Sequence, residues 1–486
     1  MIPQTERFQE FVRENLKNLP QRQLGAQIAA IFKYLRKMAI DSYPDPEQAR
    51  TEVANIREQS LNNLPWLLEQ FEAKASEAGS IVHWARDARE ANQIIIDLIK
   101  SRDITLAVKG KSMISEETGL NHELEASGVQ VFEGDLGEFI IQQKGLSPFH
   151  IVGPAVNLPV SEISDLFVEI MGIEPTNNPE KLGRAARNYL REKFARAGVG
   201  ITGVNVAIAE TGSILLVENE GNIRMATSQP RIHIALMSIE KVVGTLEEAF
   251  KVADILVRNC TGQKIPAYIS LLTGPRKPDE KDGPEETHIV ILDNGRTRIY
   301  HDPELRNALR CIRCGACLGV CTVFTRIGGP AYGWVYSGPM GAVLNPLLLG
   351  IDKCQDLFQA CTQCGSCTEA CPTGIKHPEM YHRYRRMLMQ GNSDFVSRKV
   401  IPADYRLMKI WSWGMRRPWR YRFGGYMVRR ALGFKARGGV IKSFPVMKGW
   451  FADRDLIAPS QDTFRNWWKK EGLALSKTNR STEGGV

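Results

Sequence analysis

Along the first 70 residues apolar positions recur at helical spacing. Ile28, Ile31, Phe32, Leu35 and Met38 fall on one stripe, which predicts an amphipathic helix with that stripe turned to a core. The pattern breaks at Tyr43 to Pro46. Asp45-Pro46-Glu47 then has the form of a helix N-cap, a proline in the first turn and an acid beside it, and Asn178-Pro179-Glu180 and Asp302-Pro303-Glu304 repeat the device; each predicts a helix start. Between residues 71 and 295 the period changes. ITLAV (104–108), VQVF (129–132), HIVG (150–153), VNVAIA (204–209), SILLV (213–217), RIHIALM (231–237) and HIVIL (288–292) are short apolar runs separated by helical stretches. Such runs predict strands buried on both faces, hence an α/β domain with a largely parallel sheet. GPRKPDEKDGPEET (274–287) reads as a loop before the last strand, and Asn294-Gly295 as the boundary of the domain. Four segments follow: an N-terminal helical region (1–70), the α/β domain (71–295), a cysteine-rich region (296–400) and a C-terminal segment (401–486).

The composition fits a globular chain with room for two or three domains: 486 residues, 43% hydrophobic and 24% charged. MIPQTERFQEFVRENL has no apolar core of a secretory signal, and no apolar run approaches the roughly 18 residues that span a bilayer, so a cytoplasmic chain is expected. Charge changes the picture only at the end. The net +9 arises in the C-terminal segment, where 18 Lys and Arg face 6 Asp and Glu. Six of the nine tryptophans lie there too, Trp411, Trp413, Trp419, Trp450, Trp467 and Trp468, interleaved with RRPWRYR and WWKK. A basic, Trp-rich segment suits docking to a partner first, then core packing, then contact with a membrane surface. No nucleic acid is expected, although charge alone would suit it.

The ten cysteines carry the chemistry. Cys311, Cys314, Cys317 and Cys321 are spaced C-x2-C-x2-C-x3-C; Cys361, Cys364, Cys367 and Cys371 repeat the spacing, with 39 residues between the runs. This is the bacterial ferredoxin pattern, in which three thiolates of a run wrap one cubane and the fourth crosses to the other. Two [4Fe-4S] clusters are therefore expected, one on Cys311, Cys314, Cys317 and Cys371, the other on Cys361, Cys364, Cys367 and Cys321. Gly315 and Gly365 let the backbone pass close to the cluster. Pro372 follows the second run and Thr322 the first, a departure that removes no sulfur. Paired zinc knuckles fit this spacing poorly, and no Cys-x-x-Cys-His marks a c-type haem. Cys260 and Cys354 read as incidental thiols. Arg313 stands in the first loop where Gln363 stands in the second; a cation there favours a reduced cluster, whereas an arginine turned to solvent would have little effect.

A cluster pair moves single electrons without choosing a substrate. No G-x-G-x-x-G after a predicted strand, no P-loop and no H-E-x-x-H motif supplies one, and no catalytic residue is identified. Glu210-Thr211-Gly212 follows a predicted strand, where α/β sheets present ligand loops; it is either a ligand contact or a capped turn. Lys109, Lys111 and Ser112 follow ITLAV and form either an anion site or a solvated edge. Asp135 and Glu138 are weaker candidates.

GITGVNVAIAETGSILLVENEGNIRM (200–225), KGKSMISEETGLNHELEASGVQVFEGDLGEFIIQ (109–142), and LRCIRCGACLGVC followed by AYGWVYSGPMGAVLNPLL together resemble the lactate utilisation protein B family, iron-sulfur proteins of bacterial lactate utilisation, over nearly the whole chain. The resemblance implies a lactate-utilisation α/β domain similar to the sugar-isomerase and CoA-transferase fold, then an α-helical ferredoxin-type domain. It also implies two partners, a cysteine-rich protein A and a smaller protein C, and a role as a non-autonomous oxidoreductase subunit in the oxidation of L-lactate to pyruvate. The downstream electron acceptor is unidentified. A subunit of another cytoplasmic oxidoreductase, similar to heterodisulfide reductase, and an assembly or binding protein with structural clusters are the rival readings.

Overall fold

The computed structural model of the chain describes residues 2–398, 402–443, 451, 455–460 and 462–472. Residues 1–400 form one compact unit and residues 401–486 another. Ten strands run through the described residues of the first: β1 (Ile81–Ala85), β2 (Leu106–Lys109), β3 (Gln130–Glu133), β4 (Val199–Gly203), β5 (Val206–Ile208), β6 (Ser213–Glu218), β7 (Ile232–Ser238), β8 (Val242–Val243), β9 (Tyr268–Leu272) and β10 (Glu286–Leu292).

Six of them form a sheet in the order β1-β10-β7-β4-β2-β3, and every pairing in it is parallel. The parallel α/β core is as expected. Successive side chains of β2 point to opposite faces, so Ala107 joins a core under the helices Ala88–Lys100, Met113–Thr118 and Leu120–Ala126, while Val108 joins another under Leu136–Lys144, Val160–Met171 and Pro179–Arg196. Both faces are thus covered, and all of β7 is buried. A smaller sheet, β8-β5-β6-β9, lies beside it.

Asp45 and Asn178 cap their helices, accepting from the backbone N–H of Gln48 and of Glu180 and Lys181. Asp302 departs from the expected helix start. Its carboxylate accepts from the N–H of Glu304 and Leu305, but the chain continues as a turn and a 3-10 helix, Arg306–Arg310, that delivers Cys311. HIVG (150–153) is a loop, not a strand. Pro148 and Pro154 bracket it and lack ladder donors, and the Phe149 N–H closes it on the Pro154 carbonyl at 2.8 Å.

The N-terminal helix forms, as Leu19–Asp41, with a different face inward. Ile31, Leu35 and Met38 are exposed, whereas Gly25, Ala29 and Ala39 are buried. The helix packs on Leu246–Cys260 and on the short helices of the first cysteine run, and small residues permit that approach: a Cβ at Gly25 would lie 2.4 Å from Phe149.

In the second unit the helices Pro402–Met415 and Pro418–Lys435 contact each other. Trp411, Trp413, Trp419, Trp467 and Trp468 are exposed, so core packing does not account for them; Trp450 lies outside the described residues.

A buried ion-pair network ties the sheet to the cysteine-rich region. Glu117 accepts from both Nη atoms of Arg296 at 2.8 and 2.7 Å, from Asn294 at 2.7 Å and from the Tyr336 hydroxyl at 2.5 Å. Burial alone would raise the Glu117 carboxyl, but Arg296 outweighs it and holds it below its ordinary 4.5. Glu117→Ala leaves Arg296 short of a counter-charge and is expected to lower unfolding free energy by about 3–5 kcal/mol, measured by anaerobic urea titration. The contribution is present above pH 4.5 and lost as pH falls through the lower folded-state value, so the difference from the parent chain should shrink in acid.

Candidate metal centres

The two cysteine runs adopt the same backbone twice. In the first, Arg313 and Gly315 have φ of +63° and +74°; in the second, Gln363 and Gly365 have +59° and +82°. Non-glycine residues seldom adopt positive φ, and its recurrence at the third position coils each loop inward around its thiols. The Arg313 N–H points at the Cys311 sulfur at 3.4 Å and the Gln363 N–H at Cys361 at 3.3 Å. A short helix follows each loop, Ala316–Gly319 and Ser366–Ala370.

Two cavities result. One is lined by Cys311, Cys314, Cys317 and Cys371, with Pro372 beside them; the other by Cys361, Cys364, Cys367 and Cys321, with Thr322 beside them. Each thus gathers three thiols of one run and the fourth of the other. The Cys321 and Cys371 sulfurs accept from the N–H of Phe324 (3.4 Å) and Ile375 (3.3 Å). Between the cavities runs the helix Gly338–Leu349, with Met340 and Gly341 on the first and Pro339 and Ala342 on the second. From the N-terminal helices, Arg50 donates to the carbonyls of Cys371 and Thr368, both at 2.8 Å, and Arg36 to that of Ala370 at 2.7 Å.

The donor set fits an iron-sulfur cluster in each cavity. Burial, and then Cys371, raise the Cys314 thiol; burial, and then Cys361, push Cys367 up to about 12. Thiolates this buried and this close need cationic iron to persist. Among the described residues no three His, Cys, Asp or Glu side chains gather as a single metal ion requires. Cys364 differs from the rest: it is exposed, and hydrogen bonding from Ser366 lowers its thiol.

Arg313 is buried, not turned to solvent. Its guanidinium pairs with Glu240 at 3.2 Å, lies 5.0 Å from the Tyr336 ring and lines the first cavity. Burial would raise Glu240, but Arg296 and then Arg313 hold it at about 2. Cys354 is buried beside the Thr5 hydroxyl and lines neither cysteine cavity.

A third cavity, of about 420 Å³, opens at the carboxyl ends of the parallel strands. Lys111, Ser112 and Asp135 line it, as does Cys260. Glu138 stands behind Lys111 at 3.7 Å. Lys109 does not reach it: the ammonium is buried between Glu116 at 2.8 Å and Glu133 at 2.7 Å. Glu210-Thr211-Gly212 is a turn outside it. Glu210 accepts from the Leu246 N–H and Thr211 from the Ser213 N–H, and Gly212, at φ +67°, sits where a Cβ would meet the Ala75 nitrogen at 2.2 Å. Sequence reasoning missed Lys241, Tyr336 and Glu240; a charged pair inside the apolar stretch IHIALMSIEKVV was the available signal.

Three family models match consecutive parts of the chain: the LUD domain over residues 68–292, the 4Fe-4S dicluster domain over 307–375, and the C-terminal region of lactate utilisation protein B over 397–473. Lactate utilization protein B of Shouchella clausii is 39% identical over 470 residues, covering 96% of this chain and 98% of that protein. That of Geobacillus kaustophilus is 40% identical over 466 residues, covering 95% and 96%.

The chain belongs to the lactate utilisation protein B family.

A solved structure of a DUF162 family protein from Deinococcus radiodurans matches 47% of this chain and 98% of its own at 16% identity, with a TM-score of 0.27, too low to carry any argument. The dicluster match contains all eight cysteines of the two runs, so this member of the family is an iron-sulfur protein. Among the described residues no helix is long and apolar enough to cross a membrane. Because Arg313 is buried beside the first loop, Arg313→Gln is expected to lower the potential of one iron-sulfur signal, by on the order of 100 mV or less, and to leave another in place; an anaerobic redox titration followed by electron paramagnetic resonance measures both.

Proposed function

We propose that this chain is the iron-sulfur electron-transfer subunit of a complex that oxidises L-lactate to pyruvate. Two [4Fe-4S] clusters are its cofactors, the first on Cys311, Cys314, Cys317 and Cys371, the second on Cys361, Cys364, Cys367 and Cys321. The observation that carries the reading is the exchange of fourth cysteines between two cavities, in a chain whose relatives are named for lactate utilisation along nearly their full length.

Conversion of L-lactate to pyruvate releases two electrons and two protons, and the clusters supply one-electron carriage. The protein's part is to hold two carriers in line and keep water from the inner one. Cys314 and Cys317 are buried, whereas Cys364 is exposed, so the second centre is the side open to a redox partner. Proteins A and C are the partners, in the cytoplasm, and the exposed Trp and Arg residues of the C-terminal segment are the docking surface for them.

Replacing Cys371 by Ser is expected to damage the centre held mainly by the first run, and Cys321→Ser the centre held by the second. Each should leave about four of about eight irons per chain, and Cys354→Ser should leave all of them, as read by iron and sulfide assay after anaerobic purification. For the function, adding L-lactate to the chain reconstituted with proteins A and C should bleach cluster absorbance. No bleaching with all three proteins present, while dithionite still reduces the clusters, would reject lactate as the electron source.

A further inference from the structure

We infer that this chain itself binds the organic acid, in the cavity at the carboxyl edge of the six-stranded sheet, with the carboxylate at Lys241 and the first cluster behind the adjoining wall. The inference rests on the reading above and adds to it which subunit holds the substrate.

The position follows from topology. Lys111 lies just beyond β2, Asp135 just beyond β3, Asn205 just beyond β4 and Lys241 just beyond β7, and all four line the cavity. Parallel α/β sheets place ligands outside the carboxyl ends of their strands. Its volume of about 420 Å³ lies within the range of roughly 300–1,000 Å³ for small-molecule sites, enough for a short hydroxy acid with water beside it.

The charges are sorted. Arg313 and Lys241 stand together, and Arg313 is engaged by Glu240. Lys241 makes no hydrogen bond or close ion pair among the described residues. Burial, and then Arg313, bring its amine down to about 8 against the opposing pull of Glu240, whose carboxylate already pairs with Arg296 and Arg313, so a bound carboxylate would supply Lys241 with a counter-charge of its own. The acids that line the cavity are already pinned by backbone donors: Asp135 accepts from Glu138, Glu218 from Ile223 and Arg224, and Glu220 from Leu136. They supply acceptor oxygens for a hydroxyl, with Lys111 beside them.

The wall decides the function. Ile151, Ile312, Arg313 and Tyr336 line this cavity and the first cysteine cavity alike, so one layer of side chains separates a bound acid from the first centre. A site for an unrelated metabolite would have no need of that adjacency.

The test uses the full iron-loaded chain without partners and 13C-labelled pyruvate or L-lactate. Saturable broadening of the carboxylate resonance is expected, and it should be stronger when dithionite makes the clusters paramagnetic. Lys241→Gln should weaken affinity about tenfold or more, as loss of a charged hydrogen bond does, with the cluster resonance spectrum unchanged. If that variant alters the spectrum, Cys260→Phe, which fills the cavity from another wall, decides in its place and should block binding. No saturable effect in the parent chain, parental affinity in the deciding variant, or equal displacement of the acid by chloride would overturn the site. The two readings fail separately: cluster reduction by lactate in the three-protein mixture without acid binding to this chain removes only the site, and acid binding without such reduction removes only the electron-transfer role.

Discussion

The crossing of the fourth cysteine from each run into the cavity of the other constrains the rest of the cysteine-rich region. Three thiols at two-residue spacing converge by local coiling, but a fourth from about fifty residues away arrives only through tertiary packing. Both cavities must then share a thin partition, and the helix Gly338–Leu349 is that partition. Its composition follows. A Cβ at Gly341 would lie 2.2 Å from the Tyr336 carbonyl, and Gly338, at φ +64°, would meet Leu318 at 2.8 Å. Pro346 inside the helix frees a carbonyl four residues back, and buried tyrosines of the helix His377–Gln390 restore hydrogen bonding nearby: Tyr381 donates to the Pro339 carbonyl at 2.6 Å and Tyr384 to that of Val343 at 2.8 Å.

The second constraint is electrostatic. Glu117, Arg296, Glu240 and Arg313 form a buried chain of alternating charge from the sheet to the first cysteine loop. Such a chain costs much to desolvate and gains little net stability over an apolar core of equal volume. What it supplies here is position. Each guanidinium has carboxylate oxygens in fixed directions, so the loop bearing Cys311 keeps one register against the carboxyl edge of β7. Arg57 adds to this from the N-terminal helices, donating to the carbonyls of Val242 and Leu309 at 3.3 and 3.2 Å and to that of Glu240. The helical region at the chain's start is thus part of the same buried unit.

What the sequence disclosed depended on how local the signal was. Cysteine spacing is local, and the cavities gather the thiols that the spacing pairs. The apolar strands were legible because β7 and β10 are buried along nearly their whole length. β4 was not, since VGITG has the composition of a turn; Gly200 is there because a Cβ would lie 1.7 Å from the Ala226 carbonyl. β1 was not, because it is an edge strand in which Ile81 and Trp84 are exposed and, of its five residues, Ala85 alone is fully buried. The N-terminal stripe misled because the buried side is chosen by close approach of Gly25 and Ala29, not by bulk. Lys109 and Lys111, two residues apart, looked equivalent. Lys109 is the last residue of β2 and is buried between Glu116 and Glu133, whereas Lys111 lies past the strand end, where the chain turns into the cavity; period-2 alternation would have put both on one face.

Those parts meet at Arg313. Positive φ turns its backbone around the thiols of the first run, its guanidinium is fixed by Glu240, and its side chain is wall to both the cysteine cavity and the larger one. A residue in that place cannot be changed for one purpose alone. Its charge faces the first cysteine loop and shares Glu240 with Arg296, and its side chain is part of the layer between the two cavities. Gln363 holds the same backbone position in the second loop without any of these duties, because that loop faces outward and carries the exposed Cys364. The two halves of the repeat therefore share a fold and differ in surroundings: the inner loop is coupled to the sheet, while the outer one is left accessible.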